Sequence, residues 1–260
     1  MKDFFWQSML GLVLLTVISV LALNMSGLTR EAGSFLGKTV NLSGAQRFFG
    51  GEKKTANTGK EGRAVVVLDA GHGGNDPGKV GVDGQLEKDI NLSIVRRLQT
   101  YLEMNDIEVV LTRTGDGGLY QSSDKNKKSA DMKKRIEIIN KADPVVMVSI
   151  HQNSYHQPEI SGAQVFYFGK SEEGRHFAQL MQERFDYVLG EKNTRQAKAN
   201  GSYYLLTHSK PVSIIIEGGF LSNPDEAKKL ETEEYQDRIA WTVAMGIMQY
   251  LHEKEQNVFP

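Results

Sequence analysis

A layered α/β domain is the fold class this chain predicts, on three observations. From Ala64 onward, apolar runs alternate with amphipathic helical patterns, as in a sheet covered by helices. Three of the runs, AVVVLDAGHGG, VVMVSIHQN and SIIIEGGF, are nearly continuous in Val, Ile and Leu and read as strands buried on both faces. Each also delivers a metal-binding type of residue at its end, His72, His151 and Glu217. In an open α/β sheet, ligands gather at the carboxyl ends of the strands.

The elements follow in order. No charge interrupts residues 4–29, and Phe4 to Leu23 is dominated by Phe, Leu, Val and Ile. As a helix, roughly 20 such residues span the ~30 Å hydrocarbon core of a membrane. Residues 1–23 read either as a membrane anchor, with Trp6 at headgroup level, or as a signal peptide with a small-residue site at Val20 and Ala22. Either reading exports the rest of the chain. Residues 24–63 are rich in Gly, Ser, Thr, Asn and Lys and read as a flexible tether. The domain proper runs over 64–253, followed by a tail at 254–260.

Within it, AVVVLD leads through a glycine-rich loop to a helix beginning near Leu86, with Ile90, Ile94, Leu98 and Leu102 at helical spacing. IEVVLTR is a short strand. A polar loop from Gly115 to about Ser129 precedes the helix DMKKRIEIINKA, whose Met132, Ile136 and Ile139 share a side. Pro144 opens strand VVMVSIHQN, and GAQVFYF is a further strand. Next come the amphipathic helix EEGRHFAQLMQERFDYVLG, the strand SIIIEGGF, a turn at LSNPDEA and a last helix from Glu233 to Glu253.

Composition narrows the chemistry. The 260 residues carry a net charge of −1 and a pI near 6.6, which gives no basic footprint for nucleic acid. Cysteine is absent, so a metal here must be held by nitrogen and oxygen. His72, His151 and Glu87, in the first turn of its helix, make the three-ligand set of a catalytic zinc site that leaves a position open for water. Glu217 then serves as general base. Each residue also has a plainer reading: a loop histidine, an acid favoured by the helix dipole at Glu87, a buried salt bridge at Glu217. Arg113, at a strand end, has the fork geometry for substrate carboxylates or for an internal ion pair. Asn153, two residues after His151, points to the same side if the strand continues, where it orients a ligand or the substrate. His156, His208, His176 and His252 read as surface or capping residues. The GHGGNDPG turn lacks the lysine-serine ending of a phosphate-binding loop.

DAGHGGNDPGKVG, LEKDINL, VVLTRTGD, DMKKRIEIINKA, VVMVSIHQNS, GAQVFYF and IIIEGGFLSNPDEAKKL, in this order, resemble the zinc-dependent N-acetylmuramoyl-L-alanine amidases of the amidase-3 type, from about Val65 to Leu251. The resemblance implies a twisted, mostly parallel but mixed sheet flanked by helices. It implies one Zn2+ held by His72, Glu87 and His151, Glu217 as catalytic carboxylate, and peptidoglycan as substrate, cut between N-acetylmuramic acid and L-alanine. The short hydrophobic N-terminus, the charged loop SSDKNKKSADMKKR and the lack of a wall-binding repeat most resemble the germination-specific spore cortex amidases. These trim muramic acid so that muramic-δ-lactam can form. Other readings are a vegetative autolysin of the same chemistry, a zinc peptidase, and a membrane-tethered peptidoglycan binder that needs a partner protein. The expected location is the outer face of a membrane, such as the intermembrane space of a forming spore.

Overall fold

The computed structural model describes residues 62–190 and 193–256. The segments expected at 1–23 and, except for its last two residues, 24–63 lie outside the described residues, as do 257–260. Among the described residues no helix is long and apolar enough to cross a membrane.

Six strands form one mixed sheet: β1 (Val65–Ala70), β2 (Glu108–Leu111), β3 (Val146–Asn153), β4 (Gln164–Tyr167), β5 (Lys198–Ala199) and β6 (Val212–Phe220). Their order across the sheet is β2-β1-β3-β6-β4-β5. Every neighbouring pair is parallel except β4 and β6. The helices are α1 (Glu87–Glu103), α2 (Lys127–Ala142), α3 (Glu172–Leu189), α4 (Tyr204–His208), α5 (Pro224–Glu231) and α6 (Glu233–Glu255).

The order has a functional consequence. From β1 the chain crosses through α1 to β2 on one side, then returns through α2 to β3 on the other. Strand order therefore reverses at β1, and the crevice outside the carboxyl ends of β1 and β3 is the switch point where α/β sheets bind ligands. Successive residues of a strand face opposite sides. Val66, Leu68, Val148, Ile214 and Ile216 join the larger core with α1, α3 and α6. Val67 and Met147 pack under Ile139 of α2 and Leu205 of α4 on the other face. All six residues of β1 are buried, as its continuous apolar run requires.

The chain departs from the sequence expectations at short or capped elements. LSNPDEA holds the start of a helix: Asn223 accepts from the backbone N–H groups of Asp225 and Glu226 and Pro224 occupies the first turn of α5. α2 starts at Lys127, four residues before the expected Asp131, because Asn126 caps it by accepting from Ser129 N. Its apolar stripe begins a turn later, at Met132. The last helix runs to Glu255. β5 and α4, of two and five residues, are too short to show a period.

Candidate metal centre and catalytic cleft

Glu87 is the first residue of α1 and is almost wholly buried. Its Oε2 lies 3.1 Å from His72 Nε2 and its Oε1 lies 3.0 Å from His151 Nδ1. One ligand atom from each of the three residues lies within 4.8 Å of the others, and the two imidazoles meet edge to face at 4.9 Å. Two imidazole nitrogens and one carboxylate suit a zinc-like cation, with room left for water or substrate. Burial works to raise the Glu87 pKa, but hydrogen bonds from His151 and His72 outweigh it and hold the carboxyl far below the ordinary range. His151, half-buried, is pushed down by burial yet raised on balance by Glu87.

The outer shell orients these donors. Glu87 also accepts from the backbone N–H groups of Lys79 (2.7 Å) and Gln152 (3.1 Å) and from Asn91 Nδ2 (3.3 Å). His72 Nδ1 faces Asp76 Oδ2 at 3.0 Å, which turns Nε2 toward Glu87. His72 itself adopts a left-handed backbone, φ 63°, uncommon for a non-glycine residue. A buried arginine holds that turn: Arg135 donates to the carbonyl oxygens of His72 and Ala70 and to Asp69 and Asp131. Gly71 is required by close approach, since a Cβ there would sit 2.2 Å from the His151 ring.

Glu217 stands beside this group. It is the direct β6 partner of His151 on β3, and both line one cleft of about 620 Å³. Burial raises the Glu217 pKa, opposed by the charge of His151. The Tyr203 hydroxyl donates to Glu217 Oε1 at 3.4 Å. A carboxylate kept basic by burial, next to a cation-binding donor set, is arranged for hydrolysis.

Two other residues singled out from the sequence fare differently. Asn153 lines the cleft, after an irregularity in the β3–β6 register, and its Oδ1 accepts from Ser154 N at 2.8 Å. Arg113 is corrected: it is 3% exposed and is not among the residues lining the cleft. Its guanidinium donates to the carbonyl oxygens of Ala70, Gly115, Gly71 and Lys88 at 2.8 to 3.0 Å, so it braces the His72 loop instead of reaching substrate. Nor do His156, His208, His176 and His252 line the cleft. Sequence reasoning missed Arg135, Asp69 and Tyr203. Asp69 interrupts an apolar run, and Arg135 falls between Met132 and Ile139 on the buried side of α2, both signals of a buried charge pair.

The chain matches the family described as Amidase_3, N-acetylmuramoyl-L-alanine amidase, over residues 66–249. It is 37% identical over 193 residues to the germination-specific N-acetylmuramoyl-L-alanine amidase of Bacillus subtilis (strain 168), covering 73% of this chain and 81% of that one. It is 28% identical to the N-acetylmuramoyl-L-alanine amidase AmiA of Escherichia coli (strain K12), covering 89% and 88%. Among solved structures it resembles the CwlD amidase from Clostridioides difficile in complex with the GerS lipoprotein, with a TM-score of 0.71 and 38% identity, covering 73% of this chain and 99% of that one. A match of that extent, to relatives covered over most of their own length, makes this chain a member of the Amidase_3 family, the N-acetylmuramoyl-L-alanine amidases that act on peptidoglycan.

Proposed function

We propose that the chain is a zinc-dependent amidase of spore cortex peptidoglycan, in which His72, Glu87 and His151 hold the metal and Glu217 moves the proton. The observation that carries this reading is the convergence of these four side chains at the switch point of the sheet. A zinc ion held by that donor set would supply Lewis acidity toward a water and the scissile carbonyl. Glu217 takes the proton from the attacking water and later gives it to the nitrogen of the departing L-alanine. A pKa raised by burial suits both halves of that exchange. Asp76, Asn91 and the backbone N–H groups of Lys79 and Gln152 keep the metal-binding atoms aimed.

The metal assignment has a direct test. His72→Ala and His151→Ala should each lose stoichiometric zinc, read by elemental analysis after dialysis, while circular dichroism stays near wild type, because both residues sit at strand ends outside the core. A double variant that keeps one zinc per chain would refute the assignment.

The cortex role is supported by the germination-specific relative from Bacillus subtilis. Purified protein incubated with cortex peptidoglycan and zinc should release intact stem peptides, seen by mass spectrometry. Internal stem fragments would instead indicate a peptidase, and tight binding without products a binding protein. The relative solved with the GerS lipoprotein supports a lipoprotein partner for this chain too. Together with the uncharged run over residues 4–29, this supports a reading in which it works beside a membrane after export. Fractionation that found the full-length chain in the cytoplasm would contradict that placement.

A further inference from the structure

Two lysines at the start of α2, Lys127 and Lys128, line the same cleft as His72, Glu87, His151 and Glu217. Helix electrostatics disfavours them there: the first turn of a helix attracts acids, and that of α2 contains none. The carboxylates lining the cleft pair with other groups, though the Lys128 charge also acts on Asp76. Asp69 and Asp131 pair with Arg135, Asp76 with His72 and Glu87 with both histidines, and Glu217 accepts from Tyr203. Among the described residues neither Lys127 nor Lys128 has a salt-bridge partner. One wall of the cleft thus carries two positive charges outside any salt bridge among the described residues, in a chain whose net charge is −1.

Their placement is structured. Lys127 Nζ lies 5.3 Å from the centre of the Tyr120 ring, a cation–π contact, and the Tyr120 hydroxyl accepts from Asn75 N at 2.8 Å, in the loop that carries His72. Lys128 precedes Arg135 by seven residues, two helical turns, so both lie on one stripe of α2. Arg135 grips the His72 carbonyl. The backbone of Lys128 therefore stands about 10 Å along the helix axis from that of Arg135, at 1.5 Å per residue.

We infer that Lys127 and Lys128 form a subsite for the free carboxylates of the stem peptide beyond the scissile amide. The inference rests on the amidase reading above. The sugar side of the scissile bond is neutral, whereas the stem beyond L-alanine is anionic, so a basic wall sets which way the substrate lies. Lysines at this solvent-facing wall, Lys127 half-buried and Lys128 exposed, act through a partly screened attraction, which favours binding more than chemistry.

The test uses N-acetylmuramoyl peptides of one sequence, with the carboxyls beyond L-alanine either free or amidated, and the full-length zinc-loaded protein. Wild type should prefer the free acid by roughly 10-fold in kcat/KM, mostly through KM, and added salt should shrink the preference. In the Lys127→Ala/Lys128→Ala variant the ratio should fall toward one. A wild type without preference, or a ratio that survives the double substitution, would overturn the subsite. If wild type releases stem peptide from neither substrate, the amidase reading itself fails and the subsite with it.

Discussion

Glu217→Gln should lower turnover by about 10² to 10⁴ while leaving zinc stoichiometry unchanged, the size expected when a general acid/base is removed. Gln keeps the shape and can still accept from Tyr203, but it cannot take a proton from water. The same variant should gain stability in metal-free protein. A carboxyl whose folded pKa is raised above its unfolded value favours folding below the unfolded pKa and loses that contribution as pH rises through the folded pKa. At neutral pH the buried Glu217 is therefore a liability that Gln removes. Single-turnover rates and thermal melts on one preparation read both effects. Near-full activity in the variant would make Glu217 structural and move the base elsewhere.

The residues of this cleft differ in how far the sequence alone exposed them. His72, His151 and Glu217 were legible because each sits at the end of an apolar run, where strand continuity fixes position without knowledge of the packing. Glu87 was legible because the helical pattern after it begins at once, which puts it in the first turn. Arg113 follows β2 by two residues, as His72 follows β1, but turns inward, and only the packed loop shows that its guanidinium meets four carbonyls. Tyr203 lies before a helix of five residues, too short for periodicity, and comes near Glu217 only through the folded sheet. Local pattern thus located the side chains at element ends and missed the long-range contacts that brace them.

Arg135→Met should be the most destabilising single change, on the order of 3 to 5 kcal/mol, because it leaves the Asp69 charge buried without its partner. The environment explains the size. Asp69 has no exposure; burial works to raise its pKa, and Arg135, with hydrogen bonds from Ser149 and Thr112, overrides that and holds it at about 2. Against the ordinary value of 3.8, a depressed folded pKa gives stability that is present above about pH 4 and is lost as pH falls toward 2. That contribution is roughly 2 kcal/mol. The gap in melting temperature between wild type and variant should accordingly narrow between pH 5 and pH 2. Pairing Arg135→Met with Asp69→Asn should recover part of the loss, since the coupled charges then leave together. The effect should reach the metal as well. Arg135 is the donor on the His72 carbonyl, so without it the left-handed turn at His72 loses its clamp and zinc affinity falls by about 10- to 100-fold, the usual cost of removing an outer partner. A variant that melts like wild type at neutral pH and binds zinc equally well would show that Arg135 neither stabilises Asp69 nor shapes the site.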